Sequence, residues 1–361
     1  MTRPATGPSP RERELVEAAK AGDDGAYRSL VEPLRGELHA HCYRMLGSVH
    51  DAEDALQDAL LRAWRGLGGF KGRSSPRAWL YRIATNACLD AIARRPKRTL
   101  PPDHGPASDP GQALAAPLAE TVWLEPYPDE LIGVEDGLAS PEARYERREA
   151  VELAFIAALQ HLPARQRAAL ILRDVMGFSA RETAEALDTT VASANSALQR
   201  ARRAADERLP AESQQATLRT LGEERLRAIV ERYMEAWERG DVEAIVAMLT
   251  DDAVVAMPPM PTWYRGREAI AVFLRDVAFA GPWTGSRFEA GRRRVRLVPA
   301  RASGQVALGA YGWDEGRGAY LPYALQVLTL HGARIADVTG FVTPAALPGV
   351  GLPDELLGSR T

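Results

Sequence analysis

The sequence predicts a multidomain chain in which two all-α modules, the second carrying a helix-turn-helix, precede an α+β domain. Three observations lead there. The chain has 361 residues, too many for one ordinary hydrophobic core. Apolar residues recur at helical spacing through 11–98 and again through 145–208. From about 222 to 345 the pattern changes to helices followed by alternating strands.

Residues 11–98 read as helix in five stretches: Arg11–Ala21, Ala26–Gly36, Leu38–Leu46, Ala52–Arg65 and Pro76–Arg94. Breaks fall at Gly22–Gly25, Gly47–His50 and Gly66–Ser75. In "DAEDALQDALLRAW", residues 51–64, Ala52, Ala55, Leu56, Ala59 and Ala63 form the expected buried stripe. Glu53, Asp54, Gln57 and Leu61 share another face, where carboxylates surround an apolar side chain. Such a face is either a solvated surface or a docking surface for a basic partner, with Leu61 as its anchor.

The stretch "SSPRAWLYRIATNACLDAIARRPKR", residues 74–98, begins with Ser75–Pro76, a good helix start. Leu80, Ile83, Ala84, Ala87 and Ala91 make one apolar stripe, while Trp79, Arg82 and Asn86 gather on another face. The segment closes with Arg94, Arg95, Lys97 and Arg98. Charge is segregated on a larger scale too, although the net charge is only −3. Basic residues crowd into 71–98 and 200–208, and 103–142 is almost purely acidic. Two modules for a polyanion, joined by a segment that avoids or mimics one, fit that distribution.

Residues 99–144, rich in proline, glycine and acids, read as a linker. Within it, "TVWLEPYPDELIG" sets Trp123, Leu124 and Tyr127 among acids and prolines, and large apolar groups of this kind imply ordered docking. In 145–208, "GFSARETAEALDTTVASANSALQRARR" holds a short amphipathic helix, a tight break at Asp188–Thr190 and a second helix ending in Arg200, Arg202 and Arg203. Ala184, Leu187, Val191, Ala194 and Leu198 are placed to pack the two together, either as a helix-turn-helix or as a plain hairpin.

Other classes of chemistry find little support. Cys42 and Cys88, the only cysteines, give no disulfide framework, which suits a reducing cytosol. His39, His41 and Cys42 lie too close on one helix to form a full tetrahedral metal set. There is no phosphate-binding glycine loop, no run long enough for a membrane span, and no residue set that implies a cofactor.

Residues 11–208 resemble the extracytoplasmic-function (ECF) sigma factors, the small promoter-recognition subunits of bacterial RNA polymerase. "MLGSVHDAEDALQDALLRAW", "FKGRSSPRAWLYRIATNACLDAIARR" and "LPARQRAALILRDVMGFSARETAEAL…ALQRARR" carry the resemblance. It implies partners: core RNA polymerase, through its largest-subunit clamp and its flap, and promoter DNA, with room for an anti-sigma protein. By that resemblance 11–98 binds polymerase and opens the minus-ten element, with Glu53, Asp54, Gln57 and Leu61 on the clamp. Phe70, Lys71, Arg73, Trp79, Arg82, Asn86, Arg94, Arg95, Lys97 and Arg98 would then hold bases and phosphates. The 145–208 module would read the minus-35 duplex, with Asn195, Ser196 and Gln199 at base edges and Arg200, Arg202 and Arg203 on phosphates. The family often places basic residues early in that helix, whereas this chain has Ala192, Ser193, Asn195, Ser196 and Ala197. Groove shape would therefore carry more of the specificity. The linker would thread toward the catalytic cleft.

Residues 222–345, opening with "ERYMEAWERGDVEAIVAMLTDDAVVAMPP", resemble SnoaL-like domains, cone-shaped folds of a curved sheet around helices. Trp237, Met257, Trp263, Tyr264, Tyr311 and Tyr323 are the expected lining of a small-molecule ligand pocket. No buried Asp/His dyad is evident; Asp241 suits a helix cap and His331 a turn. The domain reads as regulatory and non-enzymatic. The alternative is a DNA-binding regulator fused to a SnoaL-like isomerase or cyclase, and the acidic face with Leu61 separates the two, because a stand-alone regulator has no use for it.

Overall fold

The structure is a computed structural model that describes residues 8–119, 122–132, 141–279 and 295–357. Glu120, Thr121, Gly133 and the rest of the expected linker to Ser140 lie outside the described residues, as does 280–294 of the C-terminal domain. The chain divides into two compact units: residues up to Arg98 with Glu130–Pro210, and Thr99–Asp129 with Ala211 onward.

In the first unit, α1 (Pro10–Lys20) starts at a capping box between Ser9 and Glu12, and α2 (Asp24–Val31) starts at Asp23. α3 (Arg35–Leu46) ends at Gly47, whose φ of 72° is the left-handed cap glycine supplies cheaply. α4 (Val49–Gly66) is capped by Ser48 and α5 (Pro76–Ile92) by Ser75, with proline in its first turn. After Glu130 come α6 (Pro141–Glu149), α7 (Leu153–Gln160) and α8 (Ala164–Leu170), which runs on into a π-turn. α9 (Ala180–Ala186) and α10 (Val191–Asp206) follow, separated by Asp188 at φ 50°.

The two helical modules pack against each other within the first unit. α5 is buried on two sides: Leu80, Ala84 and Ala87 as expected, and also Tyr81, Thr85 and Cys88. The second stripe meets the later module, with Tyr81 5.2 Å from Phe178 and the Arg77 guanidinium 4.8 and 5.0 Å from the two rings. Arg167 of α8 donates to the carbonyls of Met45, Gln160 and Leu162 and to Gln160 Oε1. Burial lowers the Arg167 pKa to about 10, so it stays charged. Gln160 Nε2 returns a bond to the Arg44 carbonyl at 3.3 Å.

The second unit is built on a sheet of order β2-β1-β6-β5-β4-β3. The strands are β1 (Leu249–Ala256), β2 (Trp263–Arg265), β3 (Val295–Ala302), β4 (Gln305–Asp314), β5 (Ala319–His331) and β6 (Arg334–Phe341). β1 runs parallel to β6, the other pairs are antiparallel, and β7 (Leu356–Leu357) pairs with the start of β5. Helices α11 (Gln214–Leu221), α12 (Glu223–Arg239), α13 (Val242–Ala247) and α14 (Arg267–Phe273) accompany it. One sheet face, with Leu308, Ala310, Leu328 and Val338, forms the core with Tyr233, Ile245 and Phe273. On the other face Leu347 and Leu352 press so close that a Cβ on Gly309 would stand 2.3 Å from Leu352. Asp241 caps α13, its carboxylate accepting the Ala244 N–H at 2.9 Å.

The expected linker is divided between the units. Its first part is pinned to the C-terminal domain: Ser108 N–H donates to the Trp263 carbonyl, Ala115 N–H to Thr262 Oγ1 and Leu118 N–H to the Pro259 carbonyl, at 2.8–3.0 Å.

Candidate nucleic-acid interface

The loop between α4 and α5 and the exposed face of α5 enclose an open cleft of about 420 Å³. Trp79, Arg82 and Asn86 of α5 line it together with Phe70, Lys71 and Arg73 of the loop. Helical spacing brings Trp79, Arg82 and Asn86 together on α5, and the preceding loop adds Phe70, Lys71 and Arg73. Gly72 turns the loop at φ 65°, a conformation costly for other residues. Phe70 is buried with its ring 5.0 Å from that of Trp79, so it supports the indole from behind rather than standing free. Three cations and no carboxylate stand among the described residues that line the cleft. An aromatic plane, an amide and positive charge around an open slot suit an unstacked base and its phosphate.

The basic cluster after α5 differs from expectation. Arg94 is exposed. Arg98 is only 6% exposed and donates twice to Asp51 Oδ2, at 2.7 and 3.0 Å. Arg95 pairs with Asp51 and lies 3.4 Å from Asp54. Lys97 Nζ is 2.7 Å from His161 Nδ1. Burial of the Asp51 carboxylate requires paired charge, so Arg98 is a structural strut and leaves the phosphate-binding set; Arg95 and Lys97 are already engaged.

On α4, Glu53 accepts from Arg35 and from Gln57, both at 3.0 Å, while Asp54 and Gln57 remain exposed. Leu61 is 55% exposed beside them. That face is intact as an apolar point among carboxylates.

The helix-turn-helix geometry is present. Ser179 and Glu182 box the start of α9, and Thr190 caps α10. Asn195, Ser196, Gln199 and Arg200 are exposed on α10, with Ala194, Leu198 and Ala201 buried beneath. Val191, expected in the packing, is 43% exposed. Arg202 forks onto Asp174 at 2.6 and 2.8 Å, and Arg203 lies 3.6 Å from Glu207, so only Arg200 of the three arginines has no ion pair among the described residues.

Trp123, Leu124 and Tyr127 are all buried. Leu124 N–H donates to the Thr99 carbonyl at 3.1 Å within the segment itself, whereas Tyr127 and Asp129 dock on the chain's own C-terminal domain. Tyr127 N–H donates to Ser303 Oγ at 3.0 Å and its carbonyl accepts the Ser303 N–H at 2.6 Å. Asp129 Oδ1 accepts the Gly304 N–H at 2.8 Å, while Gln215 Nε2 donates to the Gly304 carbonyl at 2.6 Å. The Trp123 ring lies 4.8 Å from that of His104, tilted by 51°. The Ser303–Gly304 turn, with both φ values positive, is therefore gripped from two sides.

Of the expected pocket residues, Trp237, Met257 and Tyr323 line a cavity against the sheet, and Trp263, Tyr264 and Tyr311 do not. The Trp263 indole donates to the Gly105 carbonyl, Tyr264 stacks on Phe273 in the core, and the Tyr311 hydroxyl donates to the Pro353 carbonyl. Alternation along β4 explains the last: Leu308 and Ala310 face the core, which turns Tyr311 to the opposite face. Tyr233 and Gln326, missed in the sequence, complete the lining; Tyr233 lies one helical turn before Trp237.

Family models match in chain order: Sigma-70 region 2 over residues 30–98, Sigma-70 region 4 over 152–204 and a SnoaL-like domain over 230–337. The ECF RNA polymerase sigma factor SigG of Mycobacterium tuberculosis is 41% identical over 341 residues, covering 92% of this chain and 85% of that one. The chain belongs to the ECF sigma factors. The match continues through the C-terminal domain, so the architecture is that of ECF sigma factors with a SnoaL-like extension. Sigma factor SigW of Bacillus subtilis, 29% identical, covers 53% of this sigma factor and 93% of its own length. A crystal structure of the M. tuberculosis extracytoplasmic-function sigma factor SigJ has the same fold, with TM-score 0.53 and 23% identity, and covers 90% of this chain and 99% of that one. No helix among the described residues is long and apolar enough to cross a membrane.

Proposed function

We propose that this ECF sigma factor docks on core RNA polymerase through the α4 face and opens promoter DNA by capturing an unstacked base beside α5. The cleft carries the proposal: Trp79 backed by Phe70, the Asn86 amide and three cations meet in one open slot. Unstacking a base costs on the order of a few kcal/mol. Stacking on an aromatic ring recovers about 1–3 kcal/mol per base, and phosphate neutralisation adds a salt-dependent share. The exposed face of α10 supplies duplex contacts through Asn195, Ser196, Gln199 and Arg200. It offers little bidentate guanine reading, which favours recognition by groove shape.

The C-terminal domain acts in this reading as the regulatory part, because it binds Tyr127–Asp129 of the linker within its own fold. The alternative, a DNA-binding regulator fused to an isomerase or cyclase, leaves exposed Leu61 unexplained. Co-purification with core polymerase separates the two. Leu61→Arg, on an exposed site where the core is untouched, is expected to lower recovery of the complex at least tenfold. Equal recovery would contradict docking through α4.

A further inference from the structure

We infer that Val191, the first residue of α10, reads a thymine in the minus-35 duplex by packing on its C5 methyl group. That contact presupposes α10 facing duplex DNA, as proposed above, and gives one direct base reading to a helix otherwise left to groove shape.

Val191 is out of place as a packing residue. The seam between α9 and α10 closes on Ala184, Leu187, Ala194 and Leu198, all of them buried. Val191 is left 43% exposed. Its backbone is firmly held all the same. Thr190 Oγ1 accepts the Ser193 N–H at 3.1 Å, and the Thr190 carbonyl accepts the Ala194 N–H at 2.9 Å, which fixes the first turn of α10. Just before it, the Thr189 N–H donates to the Ala184 carbonyl at 2.9 Å and ties the turn to α9. A valine in a helix keeps one strongly preferred rotamer, so two methyl groups are presented at a defined place.

The surroundings select what that place meets. The second helix of a helix-turn-helix brings its N-terminal residues to base edges in the major groove. Val191 and Asn195 lie one turn apart on one side of α10, and both are exposed, as are Ala192 and Ser196 beside them. From Val191 to Gln199 the helix carries no charged side chain, so no arginine or lysine claims a guanine there. Among the groups that bases present in the major groove, the thymine C5 methyl is the apolar one. Val191 has no donor or acceptor for the others. Methyl against methyl removes both from water, and burial of one such group is worth about a fourfold change in affinity.

The full-length chain assembled on core RNA polymerase tests this in two steps. Duplexes are first selected from a pool randomised over about twelve base pairs, a little more than one turn of DNA. Each thymine of the selected duplex is then replaced singly by deoxyuridine, which keeps the pairing edge and lacks only the methyl. Affinities are compared at one fixed salt concentration. At one position deoxyuridine is expected to weaken binding roughly fourfold. Val191→Ser is expected to bring that ratio to about one, and Val191→Ala to below about twofold, with thermal unfolding checking both folds. Asn195→Ala is expected to relax base choice at a neighbouring position and to keep the ratio. Selection of no preferred sequence, no thymine whose methyl matters, or a ratio that survives both Val191 variants would overturn the contact. Variants that lose polymerase binding while base choice stays intact would assign Val191 to a protein surface and overturn it equally. Permanganate reactivity of the same holoenzyme keeps the two readings apart. Opening without methyl discrimination overturns the Val191 contact alone, and discrimination without opening overturns the strand-opening reading alone.

Discussion

His41 is fully buried, with Nε2 2.9 Å from Thr85 Oγ1, and burial followed by the charges of Arg44 and Arg77 lowers its pKa to about 3. Asp337 moves the other way: burial, then the nearby Asp252 carboxylate, raises its pKa to about 6 against the opposing pull of Arg265. The consequences have opposite sign. For His41 the unfolded chain binds the proton first, so its contribution to stability is full above about pH 6.5 and is lost as pH falls toward 3. For Asp337 the folded chain holds the proton longer, so its contribution is full below about pH 4 and is lost as pH rises through 6. Urea unfolding between pH 4 and 6 should therefore show Asp337→Asn gaining stability relative to the parent as pH rises. A constant difference across that window would contradict the assignment. Legibility at this scale depended on what a side chain is asked to do. Trp79 and Asn86 are where helical spacing puts them. Arg98 carries the same sequence signal as Arg94, and nothing local says that Asp51, far back in sequence, takes it out of solvent.

At the scale of elements, α5 has two buried stripes, and only one could be read. Leu80, Ala84 and Ala87 are plainly apolar; Tyr81, Thr85 and Cys88 form a mixed set that becomes a core face only because α9 lies against it. Helix ends were easier, because Ser75, Ser179 and Thr190 cap by local chemistry. β1 and β2 carry little local signal, the first because it follows α13 at once and the second because it spans three residues. The joint between the helical modules turns on Arg167, which serves three carbonyls and one side-chain oxygen. Arg167→Met would leave those acceptors buried and unpaired, and about 2–4 kcal/mol of unfolding free energy should be lost. Equilibrium urea unfolding measures it; a loss below about 0.5 kcal/mol would mean the network does not hold the two modules together.

For the molecule as a whole, the acidic segment is the informative part. Its composition marked a linker, and its aromatic residues marked a docking strip, but which surface they meet is a long-range fact. Tyr127 and Asp129 find the Ser303–Gly304 turn more than 170 residues later. Removing 222–361 takes away that turn and should change transcript yield from a cognate promoter in reconstituted reactions. Identical yield across salt conditions would argue against regulation by the C-terminal domain. The central claim is strand opening by the cleft beside α5, and permanganate reactivity of promoter thymines tests it most directly. Core polymerase with the parent chain should make thymines near the start site reactive, and Trp79→Ala combined with Asn86→Ala should abolish that reactivity while polymerase binding persists. Equal reactivity with and without those two side chains would contradict the account.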